Sequence, residues 1–173
     1  KKIKSWVEKG NTIISIGSGS KLLIDKRLVS EELVNNEKSD TINHLPYGDS
    51  SENRGKEQIG GVILNTQIDL THPLAFGYEN NSLPVYKNNS VWLKPSKNQY
   101  SSVARYSDNS LIDGFLSESK KQKLSESVSL VVSKIGSGIA VMFSDNPNFR
   151  GAWYGTNRLF LNAIFLGDRI YIP

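Results

Sequence analysis

Apolar residues fall into short blocks separated by polar and glycine-rich punctuation, and the blocks change between helical and strand spacing along the chain. Ile3, Trp6 and Val7 share one face of a helix over residues 2–9, which Gly10 stops. Thr12-Ile-Ile-Ser-Ile16 is an apolar, β-branched run of strand length and reads as a buried parallel strand. Gly17-Ser-Gly-Ser20 turns into a helix bearing Leu22 and Leu23. Residues 35–58 are polar throughout and predict a long surface loop. Residues 60–69 predict a strand, and Thr71–Tyr78 a proline-started turn that packs two aromatics. Short strands are expected near Val85–Lys87, Val91–Leu93 and Ser102–Tyr106, and a helix over Ser117–Leu124. Ser127–Lys134 alternates, turns at Gly136-Ser-Gly138 and returns through Ile139–Phe143, which is the signature of a β-hairpin. Its alternation puts Val128, Leu130 and Val132 on one face. Tyr154–Leu166 predicts a helix apolar around most of its surface and therefore deeply buried.

At 173 residues the chain is read as a single domain spanning 1–173. No apolar run reaches the roughly 20 residues that cross a bilayer, so no membrane span is expected. Lys1-Lys-Ile-Lys-Ser-Trp6 reads as an amphipathic helix rather than a leader, and the chain is expected to be a segment of a longer protein. The absence of cysteine excludes disulfides, thiolate metal sites and a cysteine nucleophile. The net charge of +4 is scattered, and Lys120-Lys121-Gln122-Lys123 lies between Glu118 and Glu126 without interleaved aromatics. That pattern is a solvated helix face, and no nucleic-acid partner is expected.

The helix ending in Trp6-Val-Glu-Lys-Gly10, followed by strand, glycine turn and Leu22-Leu23, resembles the strand-elbow-helix unit of class I glutamine amidotransferase-like domains. In that family the residue after the strand is a nucleophilic cysteine; here the position falls on Gly17. The family's histidine follows a later strand; here Ser144-Asp145-Asn146-Pro147 follows 139–143. Both catalytic positions are vacant, so the resemblance implies a domain without catalysis of its own. Asp69–Tyr78, the block Asp145–Phe165, and Tyr47-Gly-Asp with Arg54-Gly and Gly60-Gly61 are similar to the C-terminal amidotransferase-like domain of large bacterial zinc carboxypeptidases. The resemblance implies an α/β three-layer sandwich of flavodoxin type, with a mostly parallel sheet, an antiparallel hairpin and the first strands missing. It also implies an extracytoplasmic parent, periplasmic or secreted, whose upstream peptidase domain binds zinc and packs on this one. An open sheet edge would then invite self-association. The family's His-x-x-Glu zinc motif is absent, since neither His44 nor His72 has a glutamate three residues on, so no metal or other cofactor is expected in this chain.

Three readings of the site follow. In the first, the domain is a structural or interaction module of the peptidase. In the second, Asp145, Asn146, Asn148 and Arg150 bind peptide or glycan beside the rings of Trp153 and Tyr154; the plainer use of these residues is a turn held by Asx side chains, with Arg150 paired to Asp145 or Asp69. In the third, Ser18 and His72 form a small serine hydrolase. For Ser18 and Ser20, capping of the following helix is the plainer role, and for His72 a buried, hydrogen-bonded place in the turn.

Overall fold

The computed structural model describes residues 2–34 and 44–173. The helices are α1 (Lys2–Glu8), α2 (Ser18–Asp25), α3 (Ser50–Glu57), α4 (Glu118–Ser125) and α5 (Tyr154–Leu166). The strands are β1 (Thr12–Ile16), β2 (Val62–Ile68), β3 (Ser82–Lys87), β4 (Ser102–Gly114), β5 (Val128–Ile135) and β6 (Gly138–Phe143). All six join one sheet in the order β1-β6-β5-β4-β2-β3.

The fold is α/β with a mixed sheet, and the expectation of a mostly parallel sheet is overturned. Only β1 and β6 run parallel; every other neighbouring pair is antiparallel. The reason lies in the connections. A parallel pair needs a crossover of a dozen residues or more, usually a helix. Between β2 and β3 the chain forms only a 3₁₀ turn at Pro73–Ala75. Between β5 and β6 it has the two residues Gly136 and Ser137, because Ile135 already faces Gly138. That hairpin lies where the alternation places it, and α1 ends against it. Ser137 N–H donates to Glu8 O at 3.1 Å. A Cβ at Gly138 would collide with the carbonyl oxygens of Val7 and Asn11, so this approach requires glycine.

Both sheet faces carry apolar clusters. Leu130, Val132, Val141 and Phe143 pack with Leu159 and Ala163 of α5. Val131, Ala140 and Met142 pack with Val7 of α1 and Leu23 of α2. Val128 belongs to the second cluster, so it does not share a face with Leu130 and Val132. The pairing explains this: Ala104 faces Leu130 and Arg105 faces Val128, which makes Ser129 an extra residue in the ladder with β4.

Two further expectations fail. The stretch 35–58 is not loop to its end: α3 occupies Ser50–Glu57, where Glu52 and Lys56 pair at 2.6 Å one turn apart. Residues 35–43 lie outside the described residues. Around 91–93 only Leu93 bridges to other strands. The helix expected over 2–9 forms as α1, with Val7 buried and Ile3 and Trp6 exposed.

Helix α5 forms where expected, but it is not enclosed. Leu159 and Ala163 face the sheet and Thr156 is buried against Pro147, while Phe165 is 73% exposed and Ile164 and Leu161 are also outside. Apolar residues all round a helix signalled burial on every side, yet only one layer of neighbours lies against it. Leu159→Ala is therefore expected to cost about 2–5 kcal/mol in urea unfolding, and Phe165→Ala below about 1 kcal/mol. Equal losses would contradict the one-sided packing.

Candidate functional site

The parallel pair β1 and β6 ends at one point of the sheet, and the chain leaves both strands there. Gly17 N–H donates to Phe143 O at 2.9 Å, tying the two exits together. Gly17 has φ +52°, which favours glycine, and a Cβ there would lie 3.4 Å from Asn89 Nδ2. Helix α2 starts directly afterwards, with Gly17 as its N-cap and no side-chain cap. The capping expectation for Ser18 and Ser20 is thus corrected. Ser20 is fully buried, its hydroxyl donates to Phe143 O at 2.9 Å, and it lies 2.9 Å from Ser15 Oγ. The serine braces the strand ends instead of the helix.

Lys87 lies against the exit of β6. Leu83, Val85 and Lys87 are the inward-facing residues of β3, so the ammonium is carried into the interior by strand alternation. Its side chain is 0% exposed. Nζ donates to Val91 O at 2.7 Å and to Ser144 Oγ at 2.7 Å, and it lies 3.2 Å from Asp145 Oδ1. It also sits 4.5 Å from the centre of the Trp92 ring. Asp145 is buried too. Tyr106 donates to both its oxygens at 2.8 and 2.9 Å, and Ser129 Oγ, the extra residue of the β5 ladder, donates at 2.5 Å. Asn89 Nδ2 donates to Ser144 O at 3.0 Å.

Burial pushes the Lys87 pKa down, and the Asp145 carboxylate pulls it partly back. Burial likewise holds the Tyr106 phenol well above its ordinary value, with Asp145 adding to the effect. The phenol therefore stays protonated and keeps donating. An amine 2.7 Å from a serine hydroxyl has the elements of a serine-lysine pair. Here both side chains are sealed from solvent, and the Ser144 hydroxyl is itself spent on Val91 O at 2.7 Å. The arrangement locks strand ends.

The predicted polar-aromatic residues are split by this network. Asp145 points inward to Lys87, so its expected pairing with Arg150 is corrected. Asp69 is not Arg150's partner either; its carboxylate accepts from the Thr71 hydroxyl at 2.6 Å. Arg150 is exposed with φ +54°, and its guanidinium lies 5.2 Å from the centre of the Phe149 ring. Asn146 Oδ1 accepts from Asn148 N–H at 3.1 Å, the Asx turn that the sequence suggests. Trp153 Nε1 donates to Pro84 O at 3.2 Å, and its ring lies beside Tyr86, which stacks on Phe149 at 3.9 Å. Tyr154 alone among these rings stands 79% exposed.

The histidines lie apart from the strand exits. His44 is exposed. His72 opens the turn that packs on α5, and its Nδ1 accepts from Leu74 N–H at 3.1 Å, as a turn residue would. Among the described residues no group of three or more histidines and carboxylates could hold a metal ion. Sequence reasoning missed Lys87, Tyr106, Ser129 and Trp92. The readable signal was Lys87 itself, at the apolar parity of a strand with Leu83 and Val85.

Comparison with protein-family models and with curated proteins gives no match to this chain.

Removing one partner of a buried ion pair leaves the other charge uncompensated. Lys87→Met is expected to cost about 3–5 kcal/mol in urea unfolding. The double variant Lys87→Met/Asp145→Asn should cost less than the sum of the two singles by at least about 1 kcal/mol. Strict additivity would mean that the two side chains do not depend on each other.

A second prediction concerns pH. Burial lowers the His72 pKa below its ordinary value, opposed by Asp69. The unfolded chain then takes up this proton at higher pH than the folded one. The ring's contribution is complete above the ordinary histidine pKa of about 6.5 and falls as pH drops through it. Asp69, lowered by the Thr71 hydroxyl, titrates below that window. Between about pH 8 and about pH 5 the melting temperature of the wild type should fall further than that of His72→Asn. Parallel curves would remove His72 as the cause.

Proposed function

We propose that this chain is a non-catalytic α/β domain that works by holding other polypeptide, an accessory domain of the amidotransferase-like kind belonging to a zinc carboxypeptidase-type protein. One observation carries the reading. Fully buried Lys87 is bonded to Ser144 and Asp145 directly after β6, where the resemblance would place the base. Gly17 offers no side chain at the elbow, and the hydroxyls of Ser20 and Ser144 are committed to backbone carbonyls. The likeness of Asp69–Tyr78 and Asp145–Phe165 to the carboxypeptidase family supports the parent assignment. Zinc, proteolysis and an extracytoplasmic location belong to that parent under this reading. A three-layer sandwich is the finer architecture that goes with it, supported by apolar clusters on both faces of the sheet.

Binding of peptide or glycan near Trp153 is the second reading, favoured by the exposed Tyr154 ring. The neighbouring rings speak for structure instead, because they stack on one another. A hydrolase built on Ser18 and His72 is the weakest reading, since the His72 ring is engaged by Leu74. The test is direct. The purified domain, given peptide, glutamine and ester substrates, is expected to turn over none of them above the blank. Turnover abolished by Ser18→Ala or Ser144→Ala would overturn the non-catalytic reading.

A further inference from the structure

Lys87 and Asp145 differ from the other lysine–carboxylate pairs in a way that bears on chemistry. Lys21–Asp25, Lys56–Glu52 and Lys97–Glu32 are closer, at 2.6 to 2.7 Å, but stand in solvent. Lys120 is buried, yet its partner Glu57 is exposed. Among the described residues Lys87–Asp145 is the one such pair with both side chains sealed, at 0% and 4% exposure.

In water an amine and a carboxylic acid stay apart as hydrated ions, and an amide between them is open to hydrolysis. A dry site weakens both obstacles. Burial works against the Lys87 ammonium. A proton passed from Nζ to Oδ1 along the 3.2 Å contact leaves an amine beside a carboxylic acid. Fixed contact replaces a bimolecular encounter, which equals raising the concentration of the two groups by several orders of magnitude. The carboxyl group is also held as an acyl acceptor needs to be. Oδ2 accepts from the Tyr106 phenol at 2.9 Å and from Ser129 Oγ, so two donors face the oxygen on which charge gathers when Cγ is attacked.

We propose that Lys87 and Asp145 form an intramolecular isopeptide bond in the folded domain. Nζ adds to Cγ, and negative charge gathers on Oδ2 against Tyr106 and Ser129. A proton moves from the nitrogen to the Oδ1 hydroxyl, the bond from Cγ to Oδ1 breaks, and Oδ1 leaves with two hydrogens as one water molecule. The ammonium and carboxylate become a neutral amide and water, so the balance needs no further reactant. The reaction occurs once per molecule and takes no substrate from outside, so it holds or fails independently of the non-catalytic reading. The link would join β3 to the exit of β6 across three intervening strands, between residues 58 apart in sequence. In a chain without cysteine it would act as a disulfide does, by restricting the unfolded state. Asn89 is the poorer acyl partner. Its Oδ1 lies 3.5 Å from Nζ, but that oxygen accepts from Val91 N–H and the Asp145 donors do not reach it. Condensation there would release ammonia instead of water.

Intact-mass spectrometry of the natively purified domain tests the proposal. The wild type is expected to weigh one water less than its sequence. After tryptic digestion Lys87 should be uncleaved and joined to the peptide Ile135–Arg150. Lys87→Met should keep its full mass. If that variant does not fold, the peptide map of the wild type decides alone, because it locates the missing water. The proposal is overturned if most wild-type molecules keep the full mass after prolonged incubation at neutral pH. It is equally overturned if the water is lost elsewhere in the chain, if a folded Lys87→Met loses it too, or if ammonia is lost and Lys87 is joined to Asn89.

Discussion

The buried contact between Lys87 and Asp145 is the constraint around which the central structure is arranged. An ammonium with no exposed surface must be met on every side, and the chain meets it from the loop at Val91 and Trp92 and from the exit of β6 at Ser144 and Asp145, whose carboxylate is held in turn by Tyr106 of β4. Such a cluster stabilises only when complete, because each missing partner leaves a charge or a polar atom without compensation. It therefore contributes more to the uniqueness of the arrangement than to its depth. Slipping β3 by one residue would turn Lys87 to the opposite face and leave the Asp145 carboxylate facing phenol and hydroxyl alone.

The same contact draws in the polar groups where β6 leaves the sheet. Crevices at strand exits suit catalysis because helix starts and strand ends gather polar backbone groups there. In this chain those groups are used internally. Phe143 O takes both Gly17 N–H and the Ser20 hydroxyl, and Val91 O takes both Lys87 and Ser144.

Local pattern made most elements legible. The Thr12–Ile16 strand, the hairpin at Gly136 and the closing helix follow from β-branching, a glycine-bounded turn and helical spacing. What depends on distant neighbours was not legible. Strand direction depended on how each connection returns to the sheet, by a 3₁₀ turn between β2 and β3 and by two residues between β5 and β6, and the face of Val128 depended on an extra residue at Ser129. The exposure of Phe165 depended on how many layers lie over α5, which no periodicity records. At the site, the Asx turn at Asn146 could be read from adjacent residues. The partners of Asp145 could not, since Lys87 lies 58 residues away and Tyr106 lies 39 away.

The pairing of Thr12 with Ile139 has a kinetic consequence. Hairpin β5–β6 closes over two residues, whereas β1 reaches β6 only after the intervening chain has been gathered. The entropy of closing so long a loop grows only logarithmically, but it is spent before any contact of β1 is made. Residues 2–25 are thus expected to join last during folding and to detach first under native conditions. Their amides would exchange with solvent through a partial opening that leaves the pairing of β6, β5, β4, β2 and β3 closed, which puts the least protected layer of the domain at the β1 end of the strand order.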